Sequence, residues 1–126
     1  MSKNTGFSIT SAERYSLALF ELSEENNLIS QIENQSLSVL NLIDKSDDFS
    51  NLIKDPTTKQ EDLSIVINKI AENNKFETLF KNFLNFLIQK RRFFFLERIL
   101  KSFVEICSIK RGELKAELKS AKELSS

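Results

Sequence analysis

Apolar residues recur along most of the chain at intervals of three and four, the spacing that gathers them on one face of an α-helix. They divide the chain into six predicted helices. Thr10 with Glu13 three residues on forms a capping box, in which hydroxyl and carboxylate each satisfy a free N–H of the first turn, so the first helix is predicted from Thr10 to about Asn26. Ile29, Ile32, Val39, Leu40 and Ile43 lie on one stripe of a second helix that ends near Lys45. Phe49, Leu52 and Ile53 mark a short third helix, stopped at Asp55-Pro56 because the residue before a proline is pushed out of the helical region. Thr58 and Glu61 form a second capping box. It opens a fourth helix that buries Leu63, Val66, Ile67 and Ile70 and closes at Asn73-Asn74.

From Phe76 to Arg111 the chain has no Gly or Pro and reads superficially as one helix. The phase of its apolar stripe argues against that. At about 100° per residue, Phe76, Leu79, Phe80, Phe83 and Leu87 share one face, while Leu96, Ile99, Leu100, Phe103, Val104 and Cys107 share a nearly opposite one. A break near Lys90-Arg91-Arg92 lets both stripes face a single core, which predicts a fifth helix at about 76–90 and a sixth at about 92–110, with Gly112 as its C-cap. In the tail, Leu114, Ala116 and Leu118 alternate with charged residues at strand period, yet the Ala/Glu/Lys/Leu composition favours helix. Its conformation stays open at this stage. The expected organisation is all-α: a flexible N-terminus at 1–9, a compact six-helix bundle at 10–111, and a short C-terminal tail at 112–126 that reads as the start of a second structural unit.

Composition narrows the chemistry. With 126 residues there is room for one ordinary domain. Lys+Arg and Asp+Glu are 18 each, a balance unlike the basic excess of a dedicated nucleic-acid binder. The absence of His excludes Ser-His-Asp catalysis and His-ligated metals, and a single Cys makes neither an intrachain disulfide nor a cysteine metal cluster. Two Gly and one Pro leave little for phosphate-cradling loops. No apolar run approaches the roughly 20 residues of a membrane span, and the polar start lacks a leader's apolar core. The chain is therefore expected to be non-catalytic, without cofactor or metal, in a reducing compartment, and to reach a membrane only through a partner. Cys107 lies on the apolar stripe of the sixth helix and reads as a buried, inert thiol. Lys90-Arg91-Arg92 followed by Phe93-Phe94-Phe95 could stack single-stranded nucleic acid. With no net charge, a solvated corner between helices is the favoured reading, and a small nucleic-acid-binding or regulatory interaction domain is the alternative.

Two helices carry more apolar surface than one core-facing stripe needs. In the first, Ala12, Tyr15, Ala18, Leu19 and Leu22 form one stripe, while Leu17 and Phe20 fall on the other side. In the fifth, Phe76, Leu79, Phe80, Phe83, Leu84, Phe86 and Leu87 spread over a wide arc. A second apolar patch on a helix is either buried or offered to a partner, and two such helices side by side would form a groove for an amphipathic helix. A phenylalanine-rich core explains the same pattern without a partner.

Residues Glu13 to Leu22, ERYSLALFEL, resemble the opening "RYAxALFEL" motif of the delta subunit of F-type ATP synthase, the oligomycin-sensitivity-conferring protein of mitochondria. Asn82-Phe83-Leu84 with Lys90-Arg91-Arg92 is similar to that family's "NFL…LxxKxR" segment. Leu96, Ile99 and Phe103 match its "L..I...F" continuation, and Arg111-Gly112 with Ser120-Ala121 and Leu124 its "RG…SAxxL" stretch. The resemblance implies a six-helix N-terminal domain of a non-catalytic stator subunit. Such a domain binds the N-terminal helix of an alpha subunit on top of the catalytic head, between the first and fifth helices. A second domain, which would start about where this chain stops, engages the b-subunit peripheral stalk. The implied location is peripheral, on the cytoplasmic face of the bacterial inner membrane. The residues expected to supply the groove are Tyr15, Leu17, Ala18, Leu19, Phe20, Leu79, Asn82, Phe83 and Phe86, with the Leu17/Phe20 patch as the candidate for the exposed side.

Overall fold

Periodicity of three and four becomes six α-helices in the computed structural model, which describes the backbone of residues 2–125 and the side chains of residues 11–112. They are α1 (Ser2–Glu25), α2 (Ile29–Lys45), α3 (Asp47–Lys54), α4 (Gln60–Asn73), α5 (Thr78–Gln89) and α6 (Leu96–Ser125), with a 3-10 turn at Phe93–Phe95 leading into α6. The all-α bundle is as the sequence predicts. α1 and α2 pack mainly on α6, α4 packs on α5, and α3 folds back on α2. The core lies between these pairs, with Phe80, Phe103, Leu84, Leu87, Ile99 and Leu100 among its fully buried side chains.

Several boundaries differ from expectation, each for a local reason. α1 is helical from Ser2, so Thr10 lies within the helix and not at its N-cap. α4 starts at Gln60 with Lys59 as its N-cap and no side-chain cap; the Thr58 hydroxyl donates instead to the Leu52 carbonyl at 3.2 Å. At the start of α3 the cap is a real one, since Ser46 Oγ accepts from the Phe49 N–H at 3.2 Å. α6 runs straight through Gly112, whose φ is not positive, so the expected C-cap there is not formed. The strand-like alternation of the tail yields to its helix-forming composition, and the helix continues to Ser125.

Three helices end in the same way. Asn27, Lys75 and Arg91 each have positive φ, at 56°, 53° and 59°. The residue after each donates its N–H back into the helix: Leu28 to Ser23 O at 2.8 Å, Phe76 to Ala71 O at 2.9 Å and Arg92 to Leu87 O at 2.9 Å. These are Schellman closures built without glycine. The third is the predicted break between the fifth and sixth helices. Left-handed backbone costs an L-residue about 1–2 kcal/mol that glycine escapes, part of which glycine's greater freedom in the unfolded chain offsets. Lys75→Gly is therefore expected to raise stability by about 0.5–1 kcal/mol, read as a higher urea midpoint at unchanged slope.

Serines shift the buried face of α1. Among its described side chains the buried ones are Ala12, Ser16, Leu19, Phe20 and Ser23. Ser16 Oγ lies 2.8 Å from the Ala12 carbonyl and 2.9 Å from the Ile99 carbonyl of α6, and Ser23 Oγ donates to Leu19 O at 2.7 Å. Small side chains whose hydroxyls are satisfied by backbone let α1 approach α6 closely. The buried stripe is thus rotated away from the Tyr15-centred one that apolar residues alone suggest.

Candidate functional site

Rotation of the α1 core stripe leaves Tyr15, Ala18 and Leu22 on a flank of the helix. Tyr15 is half-buried, Ala18 is exposed, and Leu22 is 44% exposed. On α5, Phe80, Phe83, Leu84, Leu87 and Ile88 face the core. Leu79, Asn82 and Phe86 then lie on its flank, half-buried, exposed and 42% exposed respectively. Both sets have the spacing i, i+3, i+7, so each forms a ridge along its own helix. The helices meet where the Tyr15 ring packs edge-on against Phe86, centroids 6.1 Å apart. Lys90 Nζ sits 5.7 Å from the Phe86 ring centroid at the end of α5, in cation–π range.

Of the nine residues predicted to build the groove, this surface gathers five: Tyr15, Ala18, Leu79, Asn82 and Phe86. Leu19, Phe20 and Phe83 are core, at 0%, 5% and 6% exposure. Phe20 is not on the exposed side as expected: its ring lies 6.5 Å from that of Phe103, buried between α1 and α6. Leu17 is 49% exposed but lies on the flank of α1 away from Tyr15, so it does not join the surface. Leu22, expected on the core stripe, is exposed instead, because the buried Ser16 and Ser23 take the core side of α1.

Of the six ridge side chains only Tyr15 and Asn82 are polar, with the Lys90 ammonium beside Phe86, so the face is suited to contact rather than to bond chemistry. Elsewhere the described residues hold no group of three or more His, Cys, Asp or Glu placed to bind a metal, and none of their helices is long and apolar enough to cross a membrane. Cys107 is buried, as expected. Burial, with the nearby Glu33 carboxylate, raises its thiol pKa from 9.0 to about 11. The folded state therefore holds the thiol proton more tightly than the unfolded chain. Its contribution to stability is fully present below pH 9.0 and is lost as pH rises toward about 11. Iodoacetamide at pH 8 is expected to spare Cys107 in the native protein and to label it in urea; fast native labelling would contradict the buried assignment.

Lys90-Arg91-Arg92 forms the closure between α5 and the 3-10 turn, and of the following aromatics Phe93 is buried and Phe95 half-buried, leaving only Phe94 exposed. That arrangement is a corner rather than a row of open rings for stacking bases.

The chain matches known proteins over nearly its whole length. The profile of the family described as ATP synthase delta (OSCP) subunit matches residues 12–126. ATP synthase subunit delta of Pelagibacter ubique (strain HTCC1062) is 60% identical over 124 residues, covering 98% of this chain and 67% of the relative. The proteins of the same name from Brucella ovis and Rhodospirillum rubrum are 36% and 31% identical over 115 residues, covering 91% of this chain and 62% of each relative. The chain thus spans roughly two thirds of the length of these relatives. Among solved structures, a chain in the cryo-EM structure of the Toxoplasma gondii mitochondrial ATP synthase hexamer superposes with a TM-score of 0.69 at 25% identity, over 73% of this chain and 51% of that one.

Proposed function

Because the chain belongs to the ATP synthase delta (OSCP) family, a structural and not a catalytic subunit, we propose that its bundle anchors the stator of an F-type ATP synthase by holding the N-terminal helix of an alpha subunit against the face shared by α1 and α5. The observation that carries this reading is the Tyr15–Phe86 contact, which joins two half-exposed ridges of matched spacing into one apolar surface. An amphipathic helix laid on such a surface presents anchors at i, i+3/i+4 and i+7. Apolar burial stabilises the contact by roughly 25 cal/mol per Å² and needs no chemistry at the interface. The mechanical role follows. Torque on the central rotor would turn the catalytic head with it unless the head were tethered, and a dry helix-in-groove contact is such a tether. The b-subunit stalk would be engaged beyond this bundle, through the remaining third or so of the length that the relatives have. The assembly would lie at the cytoplasmic face of the bacterial inner membrane.

The reading is tested by calorimetric titration of the purified chain with a synthetic peptide of the cognate alpha-subunit N-terminus. Saturable binding of one peptide per chain is expected. No heat at concentrations on the order of tens of micromolar, where about 6–7 kcal/mol of affinity would show, contradicts it.

A further inference from the structure

We propose that a cleft at the corner of the bundle where α3, α4 and α5 meet the 3-10 turn is a binding site for a small amphiphilic acid, an aromatic or branched apolar body carrying one carboxylate. The cleft has a volume of about 340 Å³ and lies where the end of α3, the 55–58 turn, the start of α4, the end of α5 and the 3-10 turn converge. Its apolar wall is made by Ile53, Leu63, Ile88 and Phe93, all buried, with the half-exposed Phe94 ring along its edge.

The neutral polar side chains around it are already engaged. Gln60 Nε2 donates to the Ile88 carbonyl at 2.8 Å, and the Thr58 hydroxyl to the Leu52 carbonyl. The Asp55 carboxylate accepts from the Thr57 N–H at 2.9 Å and hydroxyl at 2.6 Å, which holds its pKa below the usual value. Against that one carboxylate stand two cations, which leaves the lining net positive. Lys54 and Arg91 line the cleft, and neither has an ion-pair partner among the described residues. Arg91 is held there by its left-handed closure at φ 59°.

An apolar-walled cleft with one or two placed charges is the usual form of a small-molecule site. The volume is at the low end of ligand pockets, about 300–1,000 Å³, which suits a small molecule rather than a helix. A carboxylate matches the guanidinium fork better than any neutral group. The cleft shares no lining residue with the α1/α5 ridges, so this inference stands apart from the proposed stator role.

Phenylbutyrate, followed by amide NMR on the whole chain, is the probe. Saturable shifts are expected at residues 53–63 and 88–94. Phenylbutyramide, which lacks the charge, should bind about tenfold more weakly, the loss of one charge-assisted hydrogen bond. Arg91→Gln should weaken phenylbutyrate by a similar factor, and Lys54→Gln, outside the strained turn, provides the same reading if the Arg91 variant fails to fold. Absence of saturation, equal binding of acid and amide, indifference to Lys54→Gln, or shifts confined to Tyr15 and Phe86 would each overturn the assignment.

Discussion

A Phe86→Asp substitution is expected to weaken binding of the alpha-subunit N-terminal peptide by at least about 30-fold while leaving the helical content unchanged. Phe86 is 42% exposed in the free bundle, so a carboxylate there stays in water and the fold tolerates it. Once a partner helix covers the site, the same carboxylate must be desolvated without a designed partner, and the Tyr15 edge contact and the apolar anchor are lost together. The matched control is Phe83→Asp, one helical turn earlier. Phe83 is 6% exposed, and a charge there is expected to unfold the chain rather than to weaken binding selectively. Circular dichroism with calorimetry on both variants separates the two. Equal affinity of Phe86→Asp and the unmodified chain would remove Phe86 from the docking surface.

The largest effect on stability is expected at Phe103. Its side chain is fully buried where α6 packs against α1, with the Phe20 ring 6.5 Å away. Phe103→Ala removes that ring and leaves a cavity that rigid helices fill only in part, at a cost of about 3–5 kcal/mol. Domains of this size have about 5–15 kcal/mol in total. Most of the margin would go, and the melting temperature should fall by on the order of 10–20 °C. A fall of only a few degrees would mean that α1 and α6 close over the gap, and hence that their packing is looser than the Ser16–Ile99 contact implies.

Much of the fold is legible in the sequence because its turns carry local chemistry. Asp55-Pro56 stops α3, Asn74 closes α4, and the phase shift between the Phe83 and Phe103 stripes locates the break at Lys90–Arg92 although no Gly or Pro marks it. Less legible are features where a local signal competes with its surroundings. A threonine three residues before a glutamate caps a helix only if the chain enters there. At Thr10 the helix has already begun, and at Thr58 the hydroxyl finds the Leu52 carbonyl first. Gly112 is permissive rather than obligatory at a helix end, and a run rich in Ala, Glu, Lys and Leu carries α6 past it.

The surface proposed for docking is only partly legible in the sequence for a related reason. Apolar periodicity identifies helices with surplus surface, but it counts serine as polar. Ser16 and Ser23 are at 0% exposure, with their hydroxyls on backbone carbonyls, and they turn α1 so that Phe20 goes inside while Leu22 comes out. Family resemblance directed attention to the first and fifth helices. Deciding which of their residues face outward required the packing of α1 on α6.

The most direct test of an open α1/α5 docking face is the map of amide shifts when the alpha-subunit N-terminal peptide is added to the labelled chain. The largest changes are expected at Tyr15, Ala18, Leu22, Leu79, Asn82 and Phe86, with little change at Leu17 or at the 53–63 corner. Binding that perturbs Leu17 or the α2–α3 side while sparing Tyr15 and Phe86 would contradict it.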